Sequence, residues 1–281
     1  MIEQDTRKIK EILQDEEDER RDVFLARRSA EFPMGSIRSV LCRAQSVDAM
    51  ANLVNLSLYG NNLVSLGGIE ALKRCESLRS IDIGNNKLTS LSEGFAELTS
   101  LEELVADDNA FVEVPSELAS LRNLEVLRLS GNRIERFAEA CEAHGCWPKL
   151  RELSLDNNEL TALPSMIGTL GALETLVLRG NKLQSLPEEL ASLQSLTSLS
   201  LSSNQLKTFL PGPLVPQLKA LEVLLLNGNE LSEIPAELAE LAPCRVNLAN
   251  NRLETIPQGL KESLSDLNVF GQKKVKSKTK N

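Results

Sequence analysis

The stretch CEAHGCWP at 141–148 holds the chain's one histidine, His144, between Cys141 and Cys146, with Trp147 beside them. Thiolate sulfur and imidazole nitrogen are zinc ligands, but a structural zinc takes four ligands and a catalytic one takes three plus water. This cluster offers three residues, so a metal would need the loop to fold tightly around it. The competing reading is an enlarged loop with Trp147 packed across it, and that reading is adopted. A Cys–His nucleophile is disfavoured as well, because no third group is evident to orient the imidazole. No glycine-rich loop runs from a strand into a long helix, as phosphate binding requires. Gly131, Gly180 and Gly228 each precede an asparagine and read as turn residues. Carboxylates are abundant, and a solvated charged face accounts for them. The sequence therefore assigns no catalytic residue, no metal site and no cofactor, and the chain is expected not to be an enzyme.

Asparagine is the residue with regular spacing. Asn61, Asn86, Asn109, Asn132, Asn158, Asn181, Asn204, Asn229 and Asn251 follow one another at intervals of 25, 23, 23, 26, 23, 23, 25 and 22 residues. Each closes a copy of the pattern L-x-x-L-x-L-x-x-N-x-L, with copies beginning at Leu53, Leu78, Leu101, Leu124, Leu150, Leu173, Leu196 and Leu221 and a degraded one at Pro243. Within L-x-L the period is two, so the leucines point one way and the intervening residues the other. One short strand per repeat, stacked on the next, makes a parallel sheet stepping about 4.8 Å. After each strand the chain must turn inside the stack, which leaves buried backbone donors and acceptors in need of partners. An asparagine amide supplies a carbonyl acceptor and two donors. Repeated at every turn, these amides are expected to form a ladder between neighbouring repeats. The second half of each repeat, as in PSELASLRN and PEELASLQS, reads as one or two helical turns opened by proline.

A period of this length with this consensus is the leucine-rich repeat signature. The chain resembles leucine-rich repeat proteins of the 23-residue kind. The endings Val114-Pro115, Leu163-Pro164, Leu186-Pro187, Ile234-Pro235 and Ile256-Pro257 resemble the Ras-group subclass, which includes plant intracellular members and animal signalling scaffolds. The expected fold is an α/β solenoid, a leucine-rich repeat horseshoe with a parallel sheet on the concave side and short helical or irregular turns on the convex side. The resemblance implies a cytosolic signalling scaffold, with small GTPases or phosphatases as the partner class.

Composition agrees with an aliphatic core. Of 281 residues, 42% are apolar and only 3% aromatic. A net charge of −9 and a pI near 5.0 argue against nucleic acid as the partner. The N-terminus lacks an apolar signal core, and no run is long enough for a membrane span. Five cysteines, odd in number and scattered, read as reduced thiols in a cytoplasmic protein, with nuclear residence as a variant.

The segments outside the repeats divide by charge and pattern. Residues 1–31 read as a charged helix or disordered segment, with Ile2, Ile9 and Val23 in one heptad register broken by Glu16. Residues 36–52 are expected to form an N-terminal cap, since Ile37, Val40, Leu41 and Ala44 lie on one helical face. Nine repeats occupy 53–260. A C-terminal cap follows at 261–272, where Leu264, Leu267 and Val269 repeat the strand spacing and Gln272 takes the ladder position. The lysine-rich tail 273–281 closes the chain.

The residues that alternate with the strand leucines must line the exposed side of the sheet. Among them Tyr59, Asp82, Glu103, Asp107, Arg128, Asp156, Arg179 and Leu225 are the candidate partner-binding residues. Acids gather in repeats two to five, serines fill repeat seven, and Val223 with Leu225 makes repeat eight apolar. Nine strands span about 40 Å, enough for an interface of about 1,600 Å². The expected function is a non-catalytic protein-interaction module or signalling scaffold. The alternative is a structural subunit of a larger assembly, anchored by its termini. Oligomeric state is not legible at this level.

Overall fold

A computed structural model of the chain describes residues 22–28, 52–142, 146–264 and 266–272. The chain divides into two compact units, residues 1–150 and 151–281.

In the first unit the strands are β1 (Asp22–Phe24), β2 (Asn55–Ser57), β3 (Ser80–Asp82), β4 (Glu103–Val105), β5 (Glu113–Val114), β6 (Val126–Arg128) and β7 (Arg136–Phe137). The order β1-β2-β3-β4-β6 forms one parallel sheet, and β5 pairs with β7 separately. Register is uniform: Leu56, Ile81, Leu104 and Leu127 align in one column, with Ser57, Asp82, Val105 and Arg128 in the next. The aligned Leu and Ile residues are almost fully buried and their strand neighbours, apart from the buried Ser57, half-exposed, as the period-two pattern requires.

The second unit contains β8 (Glu152–Ser154), β9 (Thr175–Val177), β10 (Ser198–Ser200), β11 (Val223–Leu225), β12 (Arg245–Asn247) and β13 (Leu267–Asn268), in that spatial order and all parallel. Parallel strands in strict sequence order, each followed by a return segment, make both units a leucine-rich repeat solenoid.

Most return segments are short stretches of 3₁₀-helix, for example Ser116–Ser120, Ser165–Thr169, Glu188–Ser192 and Ala236–Leu241, while repeat four has a turn of α-helix at Glu139–Glu142. Proline stands just before each of these 3₁₀ stretches, at Pro115, Pro164, Pro187 and Pro235. The turn needs only the proline carbonyl. Pro115, Pro164, Pro187 and Pro235 each accept an N–H three residues on, at 3.1–3.2 Å. A missing N–H is therefore harmless there, and the fixed φ is already extended-compatible. Leu118, Ile167, Leu190 and Leu238 carry the returning chain back into the core.

Residues 22–28 depart from the charge-based expectation of a helix or disordered segment. Val23 and Leu25 are buried, and Leu25 N–H donates to Ser57 O and Arg27 N–H to Tyr59 O, both at 2.8 Å. Val23-x-Leu25 is thus one more L-x-L strand, and Val23 belongs to the sheet core and not to a heptad seam. The rest of that segment, all but the last residue of the cap expected at 36–52, and the tail 273–281 lie outside the described residues.

The asparagines form rungs within each unit. In the second unit, Asn204 Oδ1 accepts Leu183 N–H at 3.1 Å, and its Nδ2 donates to Leu178 O at 2.9 Å and Leu201 O at 3.1 Å. Asn181, Asn229 and Asn251 repeat that scheme. In the first unit Asn86, Asn109 and Asn132 do the same. All nine asparagines are at most 9% exposed. Gln272 extends the scheme by one rung, accepting Leu253 N–H and donating to Leu248 O and Val269 O. At the other end Arg28 stands in the ladder position, and its backbone N–H donates to Asn61 Oδ1.

The residue before each rung is left-handed. It is glycine at Gly60, Gly131, Gly180, Gly228 and Gly271, and Asn, Asp, Ser or Arg at Asn85, Asp108, Asn157, Asn250, Ser203 and Arg27. Glycine adopts this conformation freely, and Asn and Asp tolerate it better than other side chains.

Replacing a rung leaves one buried N–H and two buried carbonyls short of a partner. Asn204→Ala is expected to cost about 1–3 kcal/mol, read as a lower midpoint in a thermal or urea melt. An unchanged midpoint would contradict the rung's role.

Candidate functional site

Cys141 and Cys146 carry the thiols that a metal would need. Cys141 is fully buried, and its Sγ–H donates to Pro115 O at 3.2 Å. Cys146 Sγ–H donates to Ala140 O at 3.5 Å. Trp147 is fully buried, and its Nε1–H donates to Leu118 O at 2.7 Å, which ties the indole to the return segment of the preceding repeat. His144 lies outside the described residues, and among the described residues no cluster of His, Cys, Asp or Glu is arranged to hold a metal ion. Burial pushes the Cys141 thiol up to about 12, with Cys146 adding to the rise. Burial likewise takes Cys75 and Cys244 to about 11. These are inert core thiols, since the thiolate is the reactive form.

The exposed side of the sheet is the remaining candidate. In the first unit it carries Tyr59, Asp82, Glu103, Asp107 and Arg128, all half-buried. Several already serve the fold. Asp82 Oδ1 accepts Gly84 N–H at 2.9 Å and Oδ2 accepts Ser57 Oγ–H at 3.2 Å. Asp107 Oδ1 accepts Ser130 N–H at 2.6 Å, and Glu103 Oε2 accepts Ser80 Oγ–H at 2.9 Å. Tyr59 OH accepts Asn85 Nδ2–H at 3.3 Å. A hollow of about 320 Å³ opens over β1, β2 and β3, lined by Phe24, Ala26, Asn55, Ser57, Tyr59 and Asp82 among others.

The second unit carries Asp156, Arg179 and Leu225 on its strand face. Asp156 Oδ1 accepts Ser154 Oγ–H at 3.2 Å and Oδ2 accepts Asn157 Nδ2–H at 2.9 Å. Arg179 is exposed in the turn after β9, and Leu225 is half-buried on β11 beside Val223. Ser202 Oγ–H donates to Asn227 Oδ1 at 2.7 Å.

The eight candidate residues therefore fall five in one unit and three in the other, each group on its own sheet face. Sequence reasoning missed Phe24. The signal was present, because Phe24 sits between the buried Val23 and Leu25, but the surrounding charge hid the strand.

A sheet face built from this repeat defines the class: a parallel, single-strand-per-turn solenoid whose chemistry lies on the outward side of its strands. Leucine-rich repeat matches cover residues 51–111 and 148–206, and a two-copy leucine-rich repeat match covers 122–168, together just over half of the chain. The chain belongs to the leucine-rich repeat proteins, a fold that is in general a non-catalytic binding module. It is similar in structure to a leucine-rich repeat protein of Leptospira interrogans, with TM-score 0.73 and 25% identity over 94% of this chain and 76% of that one. It is also similar to the plant peptide hormone receptor RGFR1, solved in complex with RGF2, with TM-score 0.68 and 29% identity over 82% of this chain and 37% of the receptor. Leucine-rich repeat-containing protein 58 of Xenopus tropicalis is 44% identical over 64 residues, 22% of this chain and 18% of that protein. The chain spans about a fifth of the length of the curated relatives it matches. No described helix is long and apolar enough to cross a membrane.

The thiols yield a pH prediction. Each raised pKa means the folded state holds a proton that the unfolded chain releases, so this stabilisation is full below the ordinary value of 9.0 and lost as pH rises towards about 12 at Cys141. The native protein is expected to label with maleimide slowly at Cys75, Cys141 and Cys244 at pH 8, and fully only in denaturant. Peptide mapping that finds these sites labelled at native rates equal to denatured ones would contradict the burial.

Proposed function

We propose that this chain is a protein-interaction module whose partner docks on the outward strand face. The carrying observation is the open sheet. In both units the strand centres, such as Leu56, Leu104, Leu176 and Leu224, are buried, while most of their neighbours along the strand stay half-exposed. That leaves a row of ordered side chains on the outward side of the sheet. The face is not chemically uniform, as a purely solvating surface would be. Acids and a tyrosine mark the first unit, and Val223, Leu225 and Arg179 mark the second. Binding of RGF2 by the plant receptor is a precedent for a polypeptide ligand on this fold.

The proline-closed repeat endings support the narrower reading of a Ras-group signalling scaffold, with a GTPase or phosphatase as the partner class. The four described cysteines are free thiols, which fits a reducing, cytoplasmic setting.

Affinity capture from the native cell tests the docking face. The comparison uses wild type, Glu103→Lys with Val105→Glu on the first face, Arg179→Glu with Leu225→Lys on the second, and Glu189→Lys on the return side as control. At least one strand-face variant is expected to recover its specific partner at tenfold lower yield, with the control unchanged. Equal recovery from every variant would overturn the strand face as the docking surface.

A further inference from the structure

The hollow over β1, β2 and β3 has features that a solvated sheet face does not require. Phe24 and Tyr59 both line it, in a chain with only 3% aromatic residues. Register puts Phe24, Ser57 and Asp82 in one column. Tyr59 stands one column over, and Gly84 follows it there on the next strand.

Gly84 sets the geometry. A Cβ at Gly84 would lie 3.1 Å from Asp82 Oδ1, 3.2 Å from Tyr59 Cδ2 and 3.4 Å from Asp107 O. A carboxylate oxygen, a ring edge and a backbone carbonyl thus crowd one point, where an added Cβ would need its neighbours to give by a few tenths of an ångström. The hollow's lining has one ionised group, Asp82. Further acids border it. Asp22 Oδ1 accepts Asn55 Nδ2–H, and Glu103 accepts Ser80 Oγ–H, where both donors belong to lining residues. Among bases, Arg27 in the turn after β1 lays its stem against Gly60, its Cγ 3.2 Å from where a Cβ would sit, and Arg128 lies beyond Val105 in the column of Asp82.

Two aromatic rings and a carboxylate lining one hollow suit a cation carried on an apolar stem. Lysine and arginine bury such stems while keeping the charge at the surface, and aromatic faces attract the charge. Aspartate or glutamate would meet like charge, and a plain aliphatic chain would leave Asp82 without gain. We infer that this hollow receives a lysine or arginine side chain presented by the partner polypeptide. The inference rests on the strand face being the docking surface and specifies the chemistry of one subsite on it.

The test uses isotope-labelled full-length chain titrated with acetyl-Gly-Arg-Gly-amide, the lysine equivalent, and the citrulline equivalent, which keeps arginine's shape without its charge. The reporter is the Gly84 amide, which donates to Asp82 Oδ1 at 2.9 Å, together with the Tyr59 ring. Both cationic peptides are expected to shift these signals saturably, with citrulline at least tenfold weaker. Asp82→Asn keeps an acceptor for the Gly84 N–H while removing the charge, and Tyr59→Ala removes the ring. Each is expected to weaken the arginine peptide at least fivefold, with signals of the second unit unmoved as the check on folding. Citrulline binding as well as arginine, no shift at Gly84, or full binding by both variants would overturn the subsite. If strand-face variants still lose the captured partner while the cationic peptides fail, the subsite alone is wrong. If capture is also unaffected, the docking face itself is wrong.

Discussion

Everything in this chain depends on satisfying the backbone at the turn that follows each strand. The turn lies inside the stack, where an unpaired N–H or C=O costs about 1–3 kcal/mol. One asparagine amide meets three such groups at once: a backbone N–H of the preceding repeat, a carbonyl of the preceding strand, and a carbonyl of its own. Aspartate would supply acceptors only, and would bring a charge into a site at most 9% exposed. Leucine would supply nothing. Because the amide reaches into the neighbouring repeat, it also fixes the step from one coil to the next. The leucine columns then align without further instruction. Gln272 shows how far the chemistry tolerates change, since its longer arm makes the same kinds of bond at the last rung.

This internal solution shapes the exterior. With the turn satisfied from within, side chains between the strand leucines have no duty towards the core. They are not all idle, however. Asp82 and Asp107 hold backbone N–H groups on the outer side of the strand, at Gly84 and Ser130. Part of the acidity read as partner chemistry is therefore local turn chemistry. The ion pairs between repeats, such as Lys73–Glu97 and Lys182–Glu159, are exposed and contribute at most about 1 kcal/mol each. The stack stands on its leucines and amides, and its surface charge is available for recognition.

The repeats were legible because two independent signals coincide in each: period-two leucines and an asparagine at fixed offset. The return turns were legible through their prolines. Strand β1 was not, and the reason is physical. Arg28 replaces the rung asparagine and needs only its backbone N–H to meet Asn61, so the side-chain signal disappears while the bond persists. Its two core residues, Val23 and Leu25, sit among charges that dominated the reading. The candidate site was legible as a face but not as a place. Alternation names which residues point outward, yet only register brings Phe24 into the column of Asp82, and only the hollow's lining shows that both rings and the carboxylate share an opening.

The distribution of aromatics separates recognition from packing. Phe95, Phe111, Phe137, Phe209 and Trp147 are at most 6% exposed and serve the interior, while Phe270, just after β13, is 83% exposed. A ring on a solvated strand face gains little burial and would be replaced by a polar residue at no loss to the fold. Phe24 and Tyr59 nevertheless occupy adjacent strands on that face, in contact with a single hollow. Large rings held half-buried beside a carboxylate gain their full burial only when another chain covers them, which is the property that concentrates binding energy in a few interface residues. Across the described strands of the first unit, β1 to β3 is where the surface most resembles half of an interface.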